Sequence, residues 1–219
     1  MTDNHSTLRN TLTSGATALG KPLSELQTDA LFVYLAELRK WNRKINLTAI
    51  TDERDVIIKH VLDSLSYVKG FSPKPGLRLL DMGSGAGFPA IPLKILCPEI
   101  SIAMVESVKK KASFLRHIIR ALRLEGAEVL DVRTEELPDS LQGVFDVVTA
   151  RAFADIGASL SAGVPLLRLS GLLVLSRGPE ESVDERHMDD AGVCREQRIE
   201  FTLPHSDYKR ALWILRKIR

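Results

Sequence analysis

Between residues 77 and 177, short apolar runs alternate with amphipathic stretches, and this alternation limits the possible fold more than any other feature of the chain. The apolar runs, each of strand length, are LRLLDM, SIAMVE, EVLDVR, FDVVTA and GLLVLSR. Apolar residues at helical spacing lie between most of them, after Pro89, from Lys109 to Leu122 and from Asp155 to Leu167. Strands joined through such helices run parallel, because each helix returns the chain to the starting edge of the sheet. We therefore predict an α/β protein with a Rossmann-like sheet.

The end of the chain follows a different pattern. The runs REQRIEFTLP and RALWILRKI are separated by a short turn at PHSDYK, which leaves no room for a helix. We expect these two runs to pair as an antiparallel hairpin. With the five earlier runs, this predicts a seven-stranded, mostly parallel sheet with one antiparallel edge strand.

Residues 1–70 predict a helical region that precedes the sheet. Three helices are expected, over Leu8–Leu19, after a cap at Ser24, and over Glu53–Val68. The segment FSPKPG, residues 71–76, breaks the periodicity and is typical of a linker. The expected division is therefore an N-terminal helical region over 1–70 and a sheet domain over 71–219.

The composition is that of a globular protein, with 44% hydrophobic and 26% charged residues in a chain of 219. No stretch approaches the roughly 18 consecutive apolar residues that a membrane helix needs, so we expect no membrane association. The two cysteines, Cys97 and Cys194, lie far apart and predict neither a disulfide framework nor a metal site. A monomer in the reducing cytoplasm is the expectation.

The segment DMGSGAGFPAI follows the first predicted strand and is a candidate ligand-binding loop. Gly83, Gly85 and Gly87 can adopt positive φ and let a ligand approach the backbone. Loops that bind dinucleotides favour GxGxxG, whose third glycine receives a pyrophosphate. Here Phe88 occupies that position, where it would obstruct a pyrophosphate. The spacing therefore favours S-adenosylmethionine over a nicotinamide cofactor.

Glu106 ends the second predicted strand and is the second indicator of a nucleoside ligand. An acidic residue at this position can accept hydrogen bonds from both ribose hydroxyls. The alternative is a cap for the following helix, a role that Ser107 could fill equally well. Asp81 and Ser84 could support the loop, either against the methionine end of a cofactor or against local backbone.

Taken together, several segments of the chain are similar to one known family. The segments are GSGAGFPAIPL, VES, RTEELP, TARAF, KWNRKINLTAI and KHVLDS. With these in place the sequence resembles the RsmG (GidB) family of 16S rRNA guanine-N7 methyltransferases over nearly its whole length. The resemblance implies a class I S-adenosylmethionine-dependent methyltransferase fold and methyl transfer to N7 of a guanosine in the 530 loop of 16S rRNA, with that RNA or the small ribosomal subunit as partner.

The resemblance also implies a set of cofactor-binding residues. They are Gly83, Gly85, Gly87, Phe88, Glu106, Ser107, Val108, Thr134, Glu135 and Arg151. Two positions depart from the family pattern: Ala90 stands where glycine is expected, and Arg177 stands where many relatives carry lysine. A planar guanidinium differs from a lysine ammonium, which puts a lysine-specific role at 177 in doubt.

Arg151 follows the fourth predicted strand and is the candidate catalytic residue. It cannot act as a base at working pH, so its contribution would be binding and electrostatic. The alternative is an exposed charge at the end of a strand. Guanine N7 carries a free lone pair, and methyl transfer to it requires orientation more than proton removal.

For RNA contacts the sequence leaves two basic segments open. Lys109, Arg116, Arg120 and Arg123 share one helical face, which is equally typical of a solvated amphipathic helix. The cluster from Arg39 to Lys44 is a better candidate for phosphate contacts, although its Trp41 is expected in the core. His60 and Asp63 could hydrogen-bond each other and are assigned no catalytic role. The alternatives to a methyltransferase are a nicotinamide oxidoreductase and a non-catalytic RNA-binding protein.

Overall fold

The computed structural model describes residues 2–151, 155–181 and 185–219, and within them a single mixed sheet carries the site. Its seven strands are β1 (Arg78–Met82), β2 (Ser101–Val105), β3 (Ala127–Leu130), β4 (Phe145–Arg151), β5 (Leu167–Arg177), β6 (Val193–Thr202) and β7 (Lys209–Lys217). Their spatial order is β3-β2-β1-β4-β5-β7-β6, with β1 to β5 parallel. The predicted α/β class and the seven-stranded, mostly parallel sheet are confirmed.

The winding of the sheet reverses between β1 and β4. From β1 the chain adds β2 and β3 on one side, whereas β4 and β5 lie on the other. In open α/β sheets, ligands bind beyond the carboxyl ends of the strands at such a switch point. The loops after β1, β2 and β4 therefore surround the expected ligand crevice.

The predicted antiparallel hairpin is confirmed, and the reversed strand is β7, which lies between β5 and β6. The reversed strand is thus second from the rim of the sheet. The physical reason is burial: the stretch Ala211–Leu215 of β7 is buried, while most of β6 carries exposed polar side chains suited to an edge. The reversal places the start of β7 beside the carboxyl end of β5, where Ala211 pairs with Arg177.

The helices are α1 (Thr2–Ala18), α2 (Glu25–Ile45), α3 (Glu53–Val56), α4 (Asp63–Ser66), α5 (Ala90–Leu96), α6 (Lys109–Leu122), α7 (Ile156–Gly163) and α8 (Glu185–Ala191). Ser24 caps α2 in a reciprocal box with Gln27, as its position before the apolar face predicts. The expected helix over 53–68 is helical, but a π-helical turn at Ile57–Leu62 separates α3 from α4, and a 3₁₀ turn at Tyr67–Lys69 follows. The helix expected from Asp155 to Leu167 is shorter, because Leu167 already belongs to β5.

Alternate residues of the central strands face two apolar layers. On one face, Leu79 and Met104 pack with residues from the N-terminal helices and from α5 and α6. On the other, Leu80 and Val105 pack with residues from α7 and α8. The N-terminal helices thus share a core with the sheet, and the boundary at residue 71 stays a prediction. In the described part of the chain, no helix is long and apolar enough to span a membrane.

We expect Leu31→Ala to lower the free energy of unfolding by about 2–5 kcal/mol, because it leaves a cavity where α2 packs on the core. Leu31 is fully buried, whereas Leu26 on the same helix is 82% exposed. Leu26→Ala should change stability by less than about 0.5 kcal/mol. Urea unfolding of both variants measures the difference, and equal losses would contradict the packing of α2 described above.

Candidate active site

The glycine loop leaves the carboxyl end of β1 and folds back on itself. Gly83, Gly85 and Gly87 have φ angles of 65°, 58° and 95°. The Ser84 amide donates to the Val105 carbonyl at 2.9 Å, and the Gly87 amide donates to the Ser84 carbonyl at 2.7 Å. The loop is therefore closed on itself and tied to β2, with the positive φ angles that its glycines are expected to allow.

The glycines at 85 and 87 are required for different reasons. A Cβ on Gly85 would meet only the Gly83 carbonyl oxygen, 3.8 Å away, so the space beside this residue is open. A Cβ on Gly87 would instead lie 2.6 Å from Ile91 and 3.0 Å from Leu115. Close packing within the protein thus excludes a side chain at 87, whereas at 85 the space around the Cβ position is open.

Glu106 holds the loop from the end of β2. Its two carboxylate oxygens accept from the amides of Gly85 and Val108, each at 2.8 Å. The N-cap position of α6 is Val108, and no side chain in the described part of the chain hydrogen-bonds to the free amides of the first helical turn. The alternative that Glu106 or Ser107 caps this helix is therefore not what the structure shows. The carboxylate is buried and oriented, and each oxygen retains a lone pair for a further donor. Ser107 and Val108 are exposed beyond it.

Asp81 lies beneath the loop with one oxygen unused. Oδ1 accepts from the Thr149 hydroxyl at 2.8 Å, while Oδ2 is buried and has no hydrogen-bond partner among the described residues. The Ser84 hydroxyl donates to the Asp81 backbone carbonyl at 3.1 Å. Burial raises the pKa of Asp81 to about 6. A buried carboxylate oxygen without a donor indicates a place for a cationic or donating ligand group.

Arg151, at the end of β4, is the centre of a polar cluster. Its Nη1 lies 3.2 Å from His60 Nδ1, 3.5 Å from an Asp63 carboxylate oxygen and 3.4 Å from the Lys59 carbonyl oxygen. The guanidinium carbon is 5.1 Å from the centre of the Phe88 ring. The side chain is 21% exposed, so the alternative of a free, solvated charge does not describe it.

His60 and Asp63 also belong to this cluster, but they do not form the hydrogen bond with each other that the sequence suggests. Instead of bonding each other, both face Arg151, and Asp63 also accepts from Arg210 Nε at 3.2 Å. The His60 ring stacks on Phe88 at 4.7 Å and contacts the Thr48 hydroxyl at 2.7 Å. Burial, helped by the charge on Arg151, lowers the pKa of His60 to about 4, so its imidazole is neutral at pH 7.

Sequence reasoning named Asp63 only as a possible partner of His60, and it missed Arg210 and Tyr34. The Tyr34 hydroxyl on α2 donates to the Ala86 carbonyl at 2.6 Å and so supports the glycine loop. The available signal was a charged residue inside an apolar stretch, as in KHVLDS and KRALWIL. A buried charge needs a partner, but the sequence does not say which one.

The remaining predicted site residues lie around this centre. Thr134 is buried and Glu135 exposed in a 3₁₀ turn after β3, on the same edge as the glycine loop. Of the segment TARAF, residues 152 and 153 lie outside the described part of the chain. Ala90 is buried at the start of α5, and Cys97 is buried, with its pKa raised to about 11 by burial. Arg177 is buried and donates to the Ser159 hydroxyl at 2.9 Å.

The predicted basic segments differ in their surroundings. Arg39 is paired with Glu53, and Arg116 with Asp131 at 3.3 Å. Trp41, expected in the core, is half-buried and lies 5.6 Å from the Phe114 ring. In the described residues, no group of three or more His, Cys, Asp and Glu side chains is arranged to hold a metal ion.

Solved structures with a similar fold share little sequence with this chain, and methyltransferases are among them. An S-adenosylmethionine-dependent methyltransferase from Aquifex aeolicus has a TM-score of 0.58 at 16% identity, over 83% of this chain and 97% of that one. M. jannaschii TYW2, solved in complex with AdoMet, has a TM-score of 0.57 at 14% identity, over 72% and 74%. These likenesses establish the class I methyltransferase fold.

Sequence relatives are much closer. The ribosomal RNA small subunit methyltransferase G of Geotalea uraniireducens (strain Rf4) is 40% identical over 97% of this chain and 98% of its own length. The protein of the same name from Geobacter metallireducens is 42% identical over 94% and 95%. The model of the family described as rRNA small subunit methyltransferase G matches residues 27–212. The chain therefore belongs to the rRNA small subunit methyltransferase G family.

Proposed function

We propose that this protein transfers a methyl group from S-adenosylmethionine to N7 of a guanosine in the 530 loop of 16S rRNA. Membership of the family supports the reaction class and the RNA substrate. The observation that carries the proposal is the meeting of the glycine loop, the Glu106 carboxylate and the Arg151 cluster around Phe88. We further propose that the enzyme acts as a monomer in the cytoplasm.

The residues of the crevice fit the cofactor in three independent respects. The open space beside Gly85 admits a ligand to the backbone. The oriented Glu106 carboxylate has lone pairs for the ribose hydroxyls, and the unpartnered Asp81 Oδ2 suits the ammonium group. Thr134 and Glu135 would lie at the adenine. When bound, S-adenosylmethionine supplies an electrophilic methyl group on a sulfonium, which is transferred by in-line displacement.

The groups around Arg151 orient an acceptor and do not remove a proton from it. The Arg151 guanidinium offers only hydrogen-bond donors, and it can donate to O6 of guanine, the acceptor next to N7. Asp63 is buried between Arg151 and Arg210 and is therefore occupied as an acceptor. Neutral His60, stacked on Phe88 and held through its ring nitrogens by Arg151 and the Thr48 hydroxyl, adds a flat surface. This arrangement suits N7, which carries a lone pair and no proton.

Replacing Gly85 with alanine should weaken S-adenosylmethionine binding by at least about tenfold, because the new methyl group would occupy the open space that we assign to the cofactor. The matched control is Gly143→Ala, at a φ of 68° with open space around it and outside the crevice. Both substitutions force a left-handed conformation that costs about 1–2 kcal/mol, so both should lower thermal stability similarly. Calorimetric titration distinguishes them, and equal affinity in the two variants would refute the placement of the cofactor.

Affinity for S-adenosylmethionine should fall as the pH is lowered below about 6, the pKa to which burial raises Asp81. The ionised carboxylate attracts the ammonium group, whereas the protonated form does not, so the loss should approach about tenfold per pH unit. Asp81→Asn should bind more weakly at pH 7.5 and lose this dependence between pH 5 and 7. A variant with the wild-type pH profile would exclude Asp81 as the partner of the ammonium group.

Incubation with labelled S-adenosylmethionine and small ribosomal subunits lacking the modification tests the proposed reaction directly. We expect labelled 16S rRNA that borohydride and aniline cleave once, in the 530 loop, because this treatment cuts at N7-methylguanosine. Arg151→Ala should reduce labelling by at least about a hundredfold, since it removes the cation at the centre of the cluster.

Two results would contradict the proposal. Label without cleavage would place the methyl group on another atom. Failure to label either free RNA or subunits, by a protein that still binds RNA, would favour a non-catalytic RNA-binding role.

A further inference from the structure

The turn between β6 and β7 presents an aromatic ring at the edge of the sheet that carries the active site. Because β7 is reversed, its first residues lie at the carboxyl end of β5, and the turn precedes them. Tyr208 in this turn is 45% exposed. Among the residues that the structure describes, it is the only exposed Phe, Tyr or Trp. An exposed ring at this position is unused by the mechanism proposed above.

The turn is held in place from both sides. The Leu203 amide donates to the Tyr208 carbonyl at 2.8 Å, and the Tyr208 amide donates to the Ser206 hydroxyl at 3.3 Å. Arg54 donates to the His205 carbonyl at 3.2 Å, and the Ser14 hydroxyl lies 3.0 Å from the His205 ring. The turn is thus anchored to α1 and α3. A ligand that contacts the ring therefore binds with little loss of conformational entropy in the turn.

Cations connect the ring to the active site. Lys59 Nζ is 4.4 Å and the Arg210 guanidinium carbon 5.6 Å from the ring centre. Arg210 bonds Asp63, which faces Arg151, so a continuous set of contacts joins Tyr208 to the candidate catalytic residue.

The charges around the ring favour an anionic partner. The basic residues near it are Arg54, Lys59, Lys209 and Arg210. The acidic ones are Asp63, enclosed between two arginines, Asp55, bonded to Lys59 at 2.7 Å, and Asp207. The exposed part of this surface therefore combines a planar apolar group with an excess of positive charge. Such a combination binds single-stranded nucleic acid, in which bases stack on aromatic rings and cations neutralise phosphates.

We propose that Tyr208 stacks a base that neighbours the target guanosine, while Lys59 and Arg210 neutralise the adjoining phosphate, so that the strand is fixed at the entrance to the active site. The inference rests on the proposed function, because it requires rRNA to reach Arg151 across this edge. Stacking on a ring tolerates any base. The contact would therefore fix the position of the strand relative to the active site without selecting a particular sequence.

Coupling between the ring and an individual base tests the proposal. Small subunits are reconstituted with an abasic nucleotide at each position flanking the target guanosine, and their affinities for wild type and Tyr208→Ala are measured. At one position, loss of the base should weaken wild type about tenfold and leave Tyr208→Ala unaffected. Tyr208→Phe, which keeps the ring, should retain the wild-type response at that position.

Lys209→Ala, at the first residue of β7 and directly after Tyr208, provides a matched control, since it removes a charge and keeps the ring. It should weaken binding uniformly at every abasic position and reduce the dependence of affinity on salt. If no flanking position shows coupling to Tyr208, the stacking proposal is overturned. In that case wild type would still methylate unmodified subunits. If the proposed function itself were wrong, even wild type would transfer no methyl group, so the two failures are distinguishable.

Discussion

The buried carboxylate of Asp63 is the constraint on which the arrangement of the site depends. Its side chain is 1% exposed, and a charge at such depth is tolerated only when it is paired and hydrogen-bonded. The two partners come from opposite sides of β5: Arg151 ends β4, and Arg210 is the second residue of β7. One carboxylate therefore fixes two guanidinium groups at the same edge of the sheet.

This pairing explains why a reversed strand and a π-helical turn belong to the same site. A parallel β7 would bring its last residues to this edge, whereas the reversed strand brings its first, including Arg210. The π-helical turn contains Lys59, whose carbonyl lies near Arg151, and His60, whose ring faces it, immediately before Asp63. Helical turns of this kind are frequent at functional sites because they redirect side chains and carbonyls. The N-terminal helices thus supply one wall of the active site.

The parts that could be predicted from the sequence are those set by local signals. Strand and helix periodicity predicted the sheet and α6 over Lys109–Leu122, and the glycine spacing predicted the loop, because each pattern is read within about a dozen residues. Partnerships between distant residues could not be predicted in this way. Asp63 and Arg210 are separated by 147 positions, and neither periodicity nor spacing relates them. The need for glycine at 87 likewise depends on Leu115, which only the folded structure brings near.

The electrostatic character of the cluster limits the reactions that it can assist. A general base needs a pKa near the working pH and a free lone pair directed at the acceptor. Arg151 has no lone pair to offer, Asp63 is occupied by two cations, and His60, with a pKa lowered to about 4, is too weak a base to hold a proton at pH 7. An exocyclic amine or a hydroxyl must lose a proton during methylation, and this cluster offers no base to accept that proton. A ring nitrogen with a free lone pair needs only position and a cation near the adjoining oxygen, and these are what the cluster provides.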